Sequence, residues 1–136
     1  MDFFNFDISL WGLQKSPLVC AYIPSDTKYI QADARRVPFK EGSFDICLFR
    51  NPNWTDDFSG EPLPVVKEMI RVLKNGGFIW MTFFKENELF LAVETLKKFP
   101  KMEILVAEKN PFGEIRVGDS SSLGDSYILI ARKCDK

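Results

Sequence analysis

Two aspartates, Asp7 and Asp33, each follow a short run of β-prone residues and are the clearest candidates for binding chemistry. The runs are Phe3 to Phe6 and Tyr29 to Ala32. Because an α/β sheet binds its ligands beyond the carboxyl ends of its strands, carboxylates placed there can contact a ligand. They accept hydrogen bonds from ribose hydroxyls or an exocyclic amine, which is nucleoside chemistry. The alternative is that Asp7 caps a helix and Asp33 fixes a turn.

The first half of the chain predicts a strand, a helix and two further strands. After the strand at 3–6, Leu10, Leu13 and Leu18 have the spacing of one helix face. Tyr22 to Lys28 is then expected to connect this helix to the strand that ends before Asp33. The mostly apolar run Phe44 to Phe49 predicts a strand buried on both faces.

The second half predicts two helices and three strands. A helix begins near Pro62 and ends at Asn75-Gly76-Gly77, where glycine tolerates a left-handed C-cap. A central strand at Phe78 to Phe84 leads to a second helix at 87–99, whose apolar face contains Leu89, Phe90, Val93 and Leu96. Met102 to Glu108 and Ser126 to Ala131 then predict an antiparallel hairpin at a sheet edge, joined by a long loop. Alternating strands and helices indicate a three-layer α/β sheet.

Composition limits the classes of function. The chain has 136 residues, which predicts a single domain at 1–136. Its net charge of −1 gives no indication of a nucleic-acid groove or of an anionic membrane surface as partner. No apolar run approaches the ~20 residues of a membrane span, and the N-terminus does not resemble a secretory signal.

The cysteines and the absence of histidine narrow the chemistry further. Cys20, Cys47 and Cys134 lie far apart without a CxxC spacing, and the chain has no histidine, so we expect no metal site. The lack of histidine also excludes Ser-His-Asp and Cys-His nucleophilic mechanisms. Reduced, packed thiols predict a cytoplasmic protein.

Three motifs in register resemble the class I S-adenosylmethionine-dependent methyltransferases. Members of that family commonly contain D-x-x-x-L-P-F, S-F-D and R-V-L-K-P-G-G in this order, which here correspond to Asp33 to Phe39, Ser43 to Asp45 and Arg71 to Gly77. Val37 replaces the leucine and Asn75 the proline. The resemblance implies a Rossmann-like methyltransferase sheet, mostly parallel with an antiparallel C-terminal hairpin, and S-adenosylmethionine as the methyl donor.

The same resemblance implies roles for individual residues. Asp33 would accept the adenine amine, and the backbone of Ala34 would approach the ring. Asp7 matches the acidic residue that follows the family's second strand and binds the ribose hydroxyls, with Ile8 against the adenine face. Asp45, by contrast, is expected to have a structural role at the start of its strand.

A fourth segment, Asn51-Pro52-Asn53-Trp54, is similar to the N/D-P-P-Y/F/W motif of amino-methylating members, although Asn53 replaces the second proline. The resemblance implies that Asn51 accepts a hydrogen bond from the target nitrogen and that Trp54 stacks on its ring. The alternative is a turn with a packing aromatic. The methyl acceptor itself, whether a small molecule, a nucleobase or a protein side chain, is not identified by these residues.

The family's first strand and its glycine-rich loop have no counterpart before Phe3. In the family this strand lies between the second and fourth, so its loss would leave them roughly 9–10 Å apart. The chain could close this gap, a complementing chain or a homodimer could fill it, or the native start could lie upstream. The sequence therefore predicts a methyltransferase or its truncated form; the alternatives are a non-catalytic domain acting in protein association and a nucleotide-binding module without transfer activity.

Overall fold

The computed structural model describes residues 3–7, 18–23, 28–50, 62–111, 114–117, 120–123 and 126–135. These residues form nine strands and two helices. In chain order they are β1 (Phe3–Asp7), β2 (Leu18–Ile23), β3 (Lys28–Asp33), β4 (Phe44–Arg50), α1 (Pro62–Val72), β5 (Leu73–Phe83), α2 (Glu86–Leu96), β6 (Met102–Lys109), β7 (Glu114–Val117), β8 (Ser120–Leu123) and β9 (Tyr127–Lys133).

Seven of the described strands form one sheet, in the order β3-β2-β1-β4-β5-β9-β6. The pairs β1–β4 and β4–β5 are parallel, while the other four pairs are antiparallel. The predicted α/β sheet is confirmed, but fewer of its strand pairs are parallel than predicted, because β1, β2 and β3 form an antiparallel meander. The predicted antiparallel pairing of β6 with β9 is confirmed, with β6 at the sheet edge.

In the N-terminal meander, part of the segment that was predicted to be a helix forms a strand. Leu18, assigned to a helix face, begins β2, and the predicted connection Tyr22 to Lys28 contains the end of β2 and the start of β3. The physical reason is non-local pairing: the apolar run Leu18 to Ile23 is compatible with a strand, and its antiparallel pairing with both β1 and β3 selects that structure. The rest of the predicted helix, at 8–17, lies outside the described residues.

Strand β1 lies directly beside β4, in register from Phe3 with Ile46 to Asp7 with Arg50. No gap two strand spacings wide separates the strand that carries Asp7 from β4, because these two strands pair directly. As a consequence, β1 occupies the sheet position that the resemblance assigns to the family's first strand.

Helix α1 confirms the predicted apolar periodicity, since Val65, Val66, Met69, Ile70 and Val72 are all buried. It ends at Val72, however, and not at the glycines, because residues from Leu73 onwards belong to β5. Gly76 does adopt the predicted left-handed conformation, with φ of 81°, but it lies within β5, where the register with β4 shifts between Leu73 and Phe78.

Helix α2 is shorter than predicted and differs from the prediction in one apolar position. It spans Glu86–Leu96 in place of 87–99, and Phe90 is 64% exposed although it was assigned to the buried face. Leu89 and Leu96 are buried as predicted. Neither described helix is long and apolar enough to cross a membrane.

The core lies between the helices and one face of the sheet. Ile79, Met81 and Phe83 of β5 and Leu129 and Ala131 of β9 are fully buried. Helices α1 and α2 contact each other and β5, so they lie on the same face. The described residues thus supply two of the three predicted layers. On the other face, Trp80 alternates with Ile79 and Met81 and is 44% exposed.

The segment between β6 and β9 contains secondary structure that the sequence did not predict. We expected a loop there, but β7 and β8 pair as an antiparallel hairpin, from Glu114 with Leu123 to Val117 with Ser120. The serines and glycines of this segment led to the loop prediction, and pairing of the two short strands overrides their weak propensity for strands.

Candidate functional site

The carboxyl ends of four strands meet at one edge of the sheet. Strands β1, β4 and β5 are parallel, and β3 runs in the same direction because both β1 and β3 are antiparallel to β2. Asp7 is the last residue of β1 and pairs with Arg50, the last residue of β4. Asp33 is the last residue of β3. The topology therefore brings both aspartates to the edge where α/β sheets bind ligands.

The sequence did not predict the strand between the two aspartates. Asp7 pairs with Cys20 of β2, and Cys20 pairs in turn with Gln31 of β3. The strands that carry the aspartates are therefore two spacings apart, roughly 9–10 Å in the hydrogen-bonding direction. Of the other predicted site residues, Ala34 is fully buried directly after β3. Ile8, Asn51 and Trp54 lie outside the described residues.

The loop at 34–43, which follows Asp33, is closed by packing and by backbone hydrogen bonds. Phe39 and Phe44, from two of the sequence motifs, pack edge to face with ring centroids 5.0 Å apart. The N–H groups of Gly42 and Ser43 donate to the carbonyls of Arg71 and Val72 at 2.9 and 2.8 Å. The loop is therefore attached to the C-terminal turn of α1.

Two side chains of α1 hold the middle of this loop. Glu68 Oε1 accepts a hydrogen bond from the N–H of Val37 at 2.9 Å, and Arg71 Nη2 donates to the Val37 carbonyl at 3.2 Å. Arg71 also donates to Glu68, from Nε to Oε2 at 2.8 Å and from Nη2 to Oε1 at 2.6 Å. We refer to Glu68 and Arg71 as the loop clamp.

The loop clamp is charged and mostly shielded from water. The Glu68 side chain is 11% exposed and that of Arg71 is 35% exposed. The hydrogen bond from Arg71 lowers the pKa of Glu68 despite the opposing effect of burial, and the N–H of Val37 lowers it further. Glu68 is therefore a carboxylate at neutral pH, which strengthens both of the hydrogen bonds it accepts.

Sequence reasoning did not find the loop clamp, although a signal for it was present. Glu68 interrupts the apolar face of a strongly amphipathic helix, and Arg71 follows it at the i,i+3 spacing of a helical ion pair. An acidic residue on a buried face requires a partner. The sequence could not indicate that the pair also forms hydrogen bonds with the backbone of Val37, which is 31 residues away from Glu68.

A groove of about 420 Å³ lies elsewhere on the sheet. It is formed by the first part of β4, the first part of β5 and one residue of β9. Its lining residues are Asp45, Ile46, Asn75, Gly76, Gly77, Phe78, Trp80 and Ile130. Asp45 also pairs with Lys74 at 3.5 Å. Because these residues belong to the amino ends of β4 and β5, the groove is separate from the edge that carries Asp7 and Asp33.

Among the side chains that the structure describes, no group of three or more potential metal ligands is present. Cys47 is buried against α1, and its Sγ lies 3.8 Å from the carbonyl oxygen of Met69. Burial raises the pKa of the Cys47 thiol to about 12. Cys134, by contrast, is half-buried.

We expect Cys47 to resist alkylation in the folded protein. With a pKa of about 12, roughly one thiol in ten thousand is ionised at pH 8, and the thiolate is the reactive form. Iodoacetamide at pH 8, followed by peptide mass spectrometry, should modify Cys134 well before Cys47. In concentrated urea the two should react at similar rates. Equal rates in the folded protein would contradict the described burial of Cys47.

The fold and the edge together define an α/β protein of the Rossmann-like class, with acidic residues at the carboxyl ends of its strands. The sequence matches the methyltransferase domain family over residues 6–81, which is more than half of the chain. The chain belongs to this family. A search of curated proteins gave no match.

Solved structures with a similar fold include three methyltransferase-related proteins. An S-adenosylmethionine-dependent methyltransferase from Aquifex aeolicus superposes with a TM-score of 0.55 at 12% identity, covering 76% of this chain and 53% of its own. The tRNA (m1A58) methyltransferase from the same organism has a TM-score of 0.54 at 15% identity, and the match covers 84% of this chain and 45% of that protein. The complex of the Haloferax volcanii Trm112 methyltransferase activator with a candidate methyltransferase gives a TM-score of 0.53 at 12% identity, and the match covers 76% of this chain and 60% of that one. The chain thus spans about half the length of these neighbours, and the likeness establishes the Rossmann-like methyltransferase fold.

Proposed function

We propose that this chain is an S-adenosylmethionine-dependent methyltransferase domain that transfers a methyl group to an acceptor not yet identified. Asp7, Ile8, Asp33 and Ala34 form the adenosine side of the cofactor site. Asn51 and Trp54 bind the acceptor. The observation that carries the proposal is the convergence of Asp7, Asp33 and the end of β4 at one edge, in a chain that belongs to the methyltransferase domain family.

The residues at this edge fit the nucleoside part of the cofactor. Carboxylates accept hydrogen bonds from both ribose hydroxyls and an exocyclic amine, and two of them lie on strands roughly 9–10 Å apart. Ala34 directly follows Asp33 and is fully buried, so the chain enters the loop closely packed at this point. Asn51 directly follows Arg50, which is in register with Asp7. In the sequence, the proposed acceptor segment therefore begins directly after the strand that pairs with the one carrying Asp7.

When bound, S-adenosylmethionine supplies an electrophilic methyl group on a sulfonium ion. Transfer forms a bond from the acceptor atom to the methyl carbon and breaks the bond from that carbon to sulfur. The contribution of this chain is to hold the two reactants in line, which requires little acid-base chemistry. A sequence without histidine is compatible with such a reaction. Asn51 would orient an acceptor nitrogen, and Trp54 would stack on its ring.

The proposal extends to organisation and partners. Residues 1–136 act as one domain, and the reduced thiols of Cys47 and Cys134 fit the cytoplasm. A homodimer or a complementing chain completes the cofactor site. One observation supports such a partner: one of the structural neighbours is a complex with an activator protein.

Binding of S-adenosylhomocysteine, measured by titration calorimetry, tests the proposal. We expect the wild-type chain to bind, and Asp33→Ala to weaken binding at least about tenfold, because a carboxylate hydrogen bond contributes about 1.5–3 kcal/mol. Asp135→Ala, the same change at an exposed C-terminal position, is the control and should bind normally. An unchanged affinity of Asp33→Ala would remove Asp33 from the site. No detectable binding by the wild type at millimolar ligand would count against the proposed function.

A further inference from the structure

We propose that the loop clamp of Glu68 and Arg71 positions the adenine-binding segment, so that these two residues determine cofactor affinity without touching the cofactor. This inference rests on the proposed function, since it assigns the segment at Asp33 and Ala34 to the adenine. Glu68 and Arg71 are thus positioning residues that act through the backbone of Val37.

The geometry supports a positioning role because the clamp holds one residue of the loop at both of its backbone polar groups. Glu68 accepts from the Val37 N–H, and Arg71 donates to the Val37 carbonyl. A residue held at both groups has little freedom to rotate its peptide planes. Val37 is 4% exposed, so water cannot replace these partners at low cost.

The position of Val37 in the chain transmits this restraint to the site. Only three peptide bonds join Val37 to Ala34, and Ala34 is fully buried. On the other side, the N–H of Phe39 donates to the Val37 carbonyl at 2.9 Å, and Gly42 is bonded to the carbonyl of Arg71. The segment is therefore fixed at both ends to α1. Loss of the clamp would release residues 34–37, which adjoin Asp33, while Gly42 would stay hydrogen-bonded to α1.

The two halves of the clamp depend on each other. Arg71 Nη2 contacts Glu68 and the Val37 carbonyl with the same nitrogen, while Nε completes a two-point contact with Glu68. Lysine has a single nitrogen and cannot reproduce this planar arrangement. Charge alone at position 71 is therefore insufficient, and this distinguishes the clamp from an ordinary ion pair.

The test compares Glu68→Gln with Glu94→Gln. Glutamine keeps the size of Glu68 but places an amide where Arg71 needs an acceptor. Glu94 forms the corresponding i,i+3 ion pair with Lys97 at 3.2 Å on an exposed face, and it provides the matched control. We expect Glu68→Gln to weaken binding of adenosine and of S-adenosylhomocysteine by the same factor, about tenfold. Glu94→Gln should leave both affinities unchanged.

Hydrogen exchange separates positioning from general destabilisation. In Glu68→Gln the Val37 amide should exchange faster, while amides in β5 and β9 keep their protection at a temperature where circular dichroism shows the variant to be folded. Arg71→Lys is the second variant and should weaken adenosine binding about as much, which keeps the test decisive if Glu68→Gln does not fold.

The outcomes distinguish the inference from the proposed function. If the wild type and both clamp variants bind with equal affinity, the positioning role is overturned and the proposed function stands. If the wild type binds neither adenosine nor S-adenosylhomocysteine, the proposed function fails and the cofactor role of the clamp fails with it. If the Arg71→Lys variant binds with the same affinity as the wild type, a positive charge at position 71 is sufficient and the proposed geometry is wrong.

Discussion

Replacing Gly77 with alanine is expected to lower the free energy of unfolding by about 3 kcal/mol, at the upper end of the usual range for overpacked sites. A Cβ atom at Gly77 would lie 2.8 Å from the carbonyl oxygens of Asp45 and Lys74 and 2.8 Å from Leu73 Cδ1. Two of these three atoms belong to the backbone and cannot rotate away. The added methyl group would therefore push β5 away from the start of β4, where Ile46 pairs with Phe78.

Urea denaturation of both variants, followed by circular dichroism, measures this effect, with Gly76 as the internal comparison. A Cβ at Gly76 meets nothing within 4 Å, but its φ of +81° lies in the left-handed region. Gly76→Ala should therefore cost about 1–2 kcal/mol, and Gly76→Asn less, because asparagine tolerates this conformation better. Asparagine at Gly77 should give no such recovery. A loss below about 1 kcal/mol for Gly77→Ala would show that the strands can separate at low cost.

Substituting Lys133 with methionine should destabilise the protein by about 2–3 kcal/mol, because two carbonyl oxygens at the end of α1 would lose their hydrogen-bond donor. Lys133 Nζ donates to the carbonyl oxygens of Ile70 and Leu73, both at 2.8 Å. Ile70 lies in the last turn of α1 and Leu73 directly follows the helix, where a positive charge is also favourable. Methionine fills a similar volume but leaves the two carbonyls without this donor.

Burial offsets part of the stabilisation by Lys133. The residue is 8% exposed, and desolvation lowers the pKa of its amine. The unfolded chain therefore binds this proton more tightly, so the contribution of Lys133 to stability decreases as the pH falls below the ordinary value of 10.5. Our expected loss for the methionine variant at pH 7 already includes this offset.

Thermal or urea unfolding of Lys133→Met should be compared with Lys98→Met, which makes the same change at an exposed position. Surface substitutions of this kind usually change stability by less than about 0.5 kcal/mol. Equal stability of the two variants would mean that the two carbonyls find other partners, such as water, and that Lys133 is not the effective cap of α1.

Much of the C-terminal half was predictable from local pattern. The apolar positions of α1 and the burial of β5 follow from periodicity, and the β6–β9 hairpin follows from two apolar runs separated by turn residues. Even here the end of α1 was misplaced, because the pairing of Leu73 with Phe44 begins β5 before the glycines are reached, and Lys133, about 60 residues away, donates to the carbonyls of Ile70 and Leu73. Local glycine signals cannot reveal such a distant donor.

The N-terminal half was less predictable, because strand pairing there is decided by non-local contacts. Leu18 to Ile23 is compatible with a short helix or a strand when considered alone. Its antiparallel pairing with both β1 and β3 selects the strand. A separate parallel pairing of β1 with β4 removes the gap that the motif order implied.

The candidate site shows what each level of structure determined. By itself, the sequence determined that Asp7 and Asp33 follow strands and that the motifs around Asp33, Asp45 and Arg71 resemble a methyltransferase, because these features depend on residue type and spacing alone. Only the tertiary structure determined that β2 separates the two aspartates and that Glu68 and Arg71 hold Val37. Both depend on segments distant in the chain meeting in space, and the free energy of such contacts comes from packing and hydrogen bonds that have no local signature.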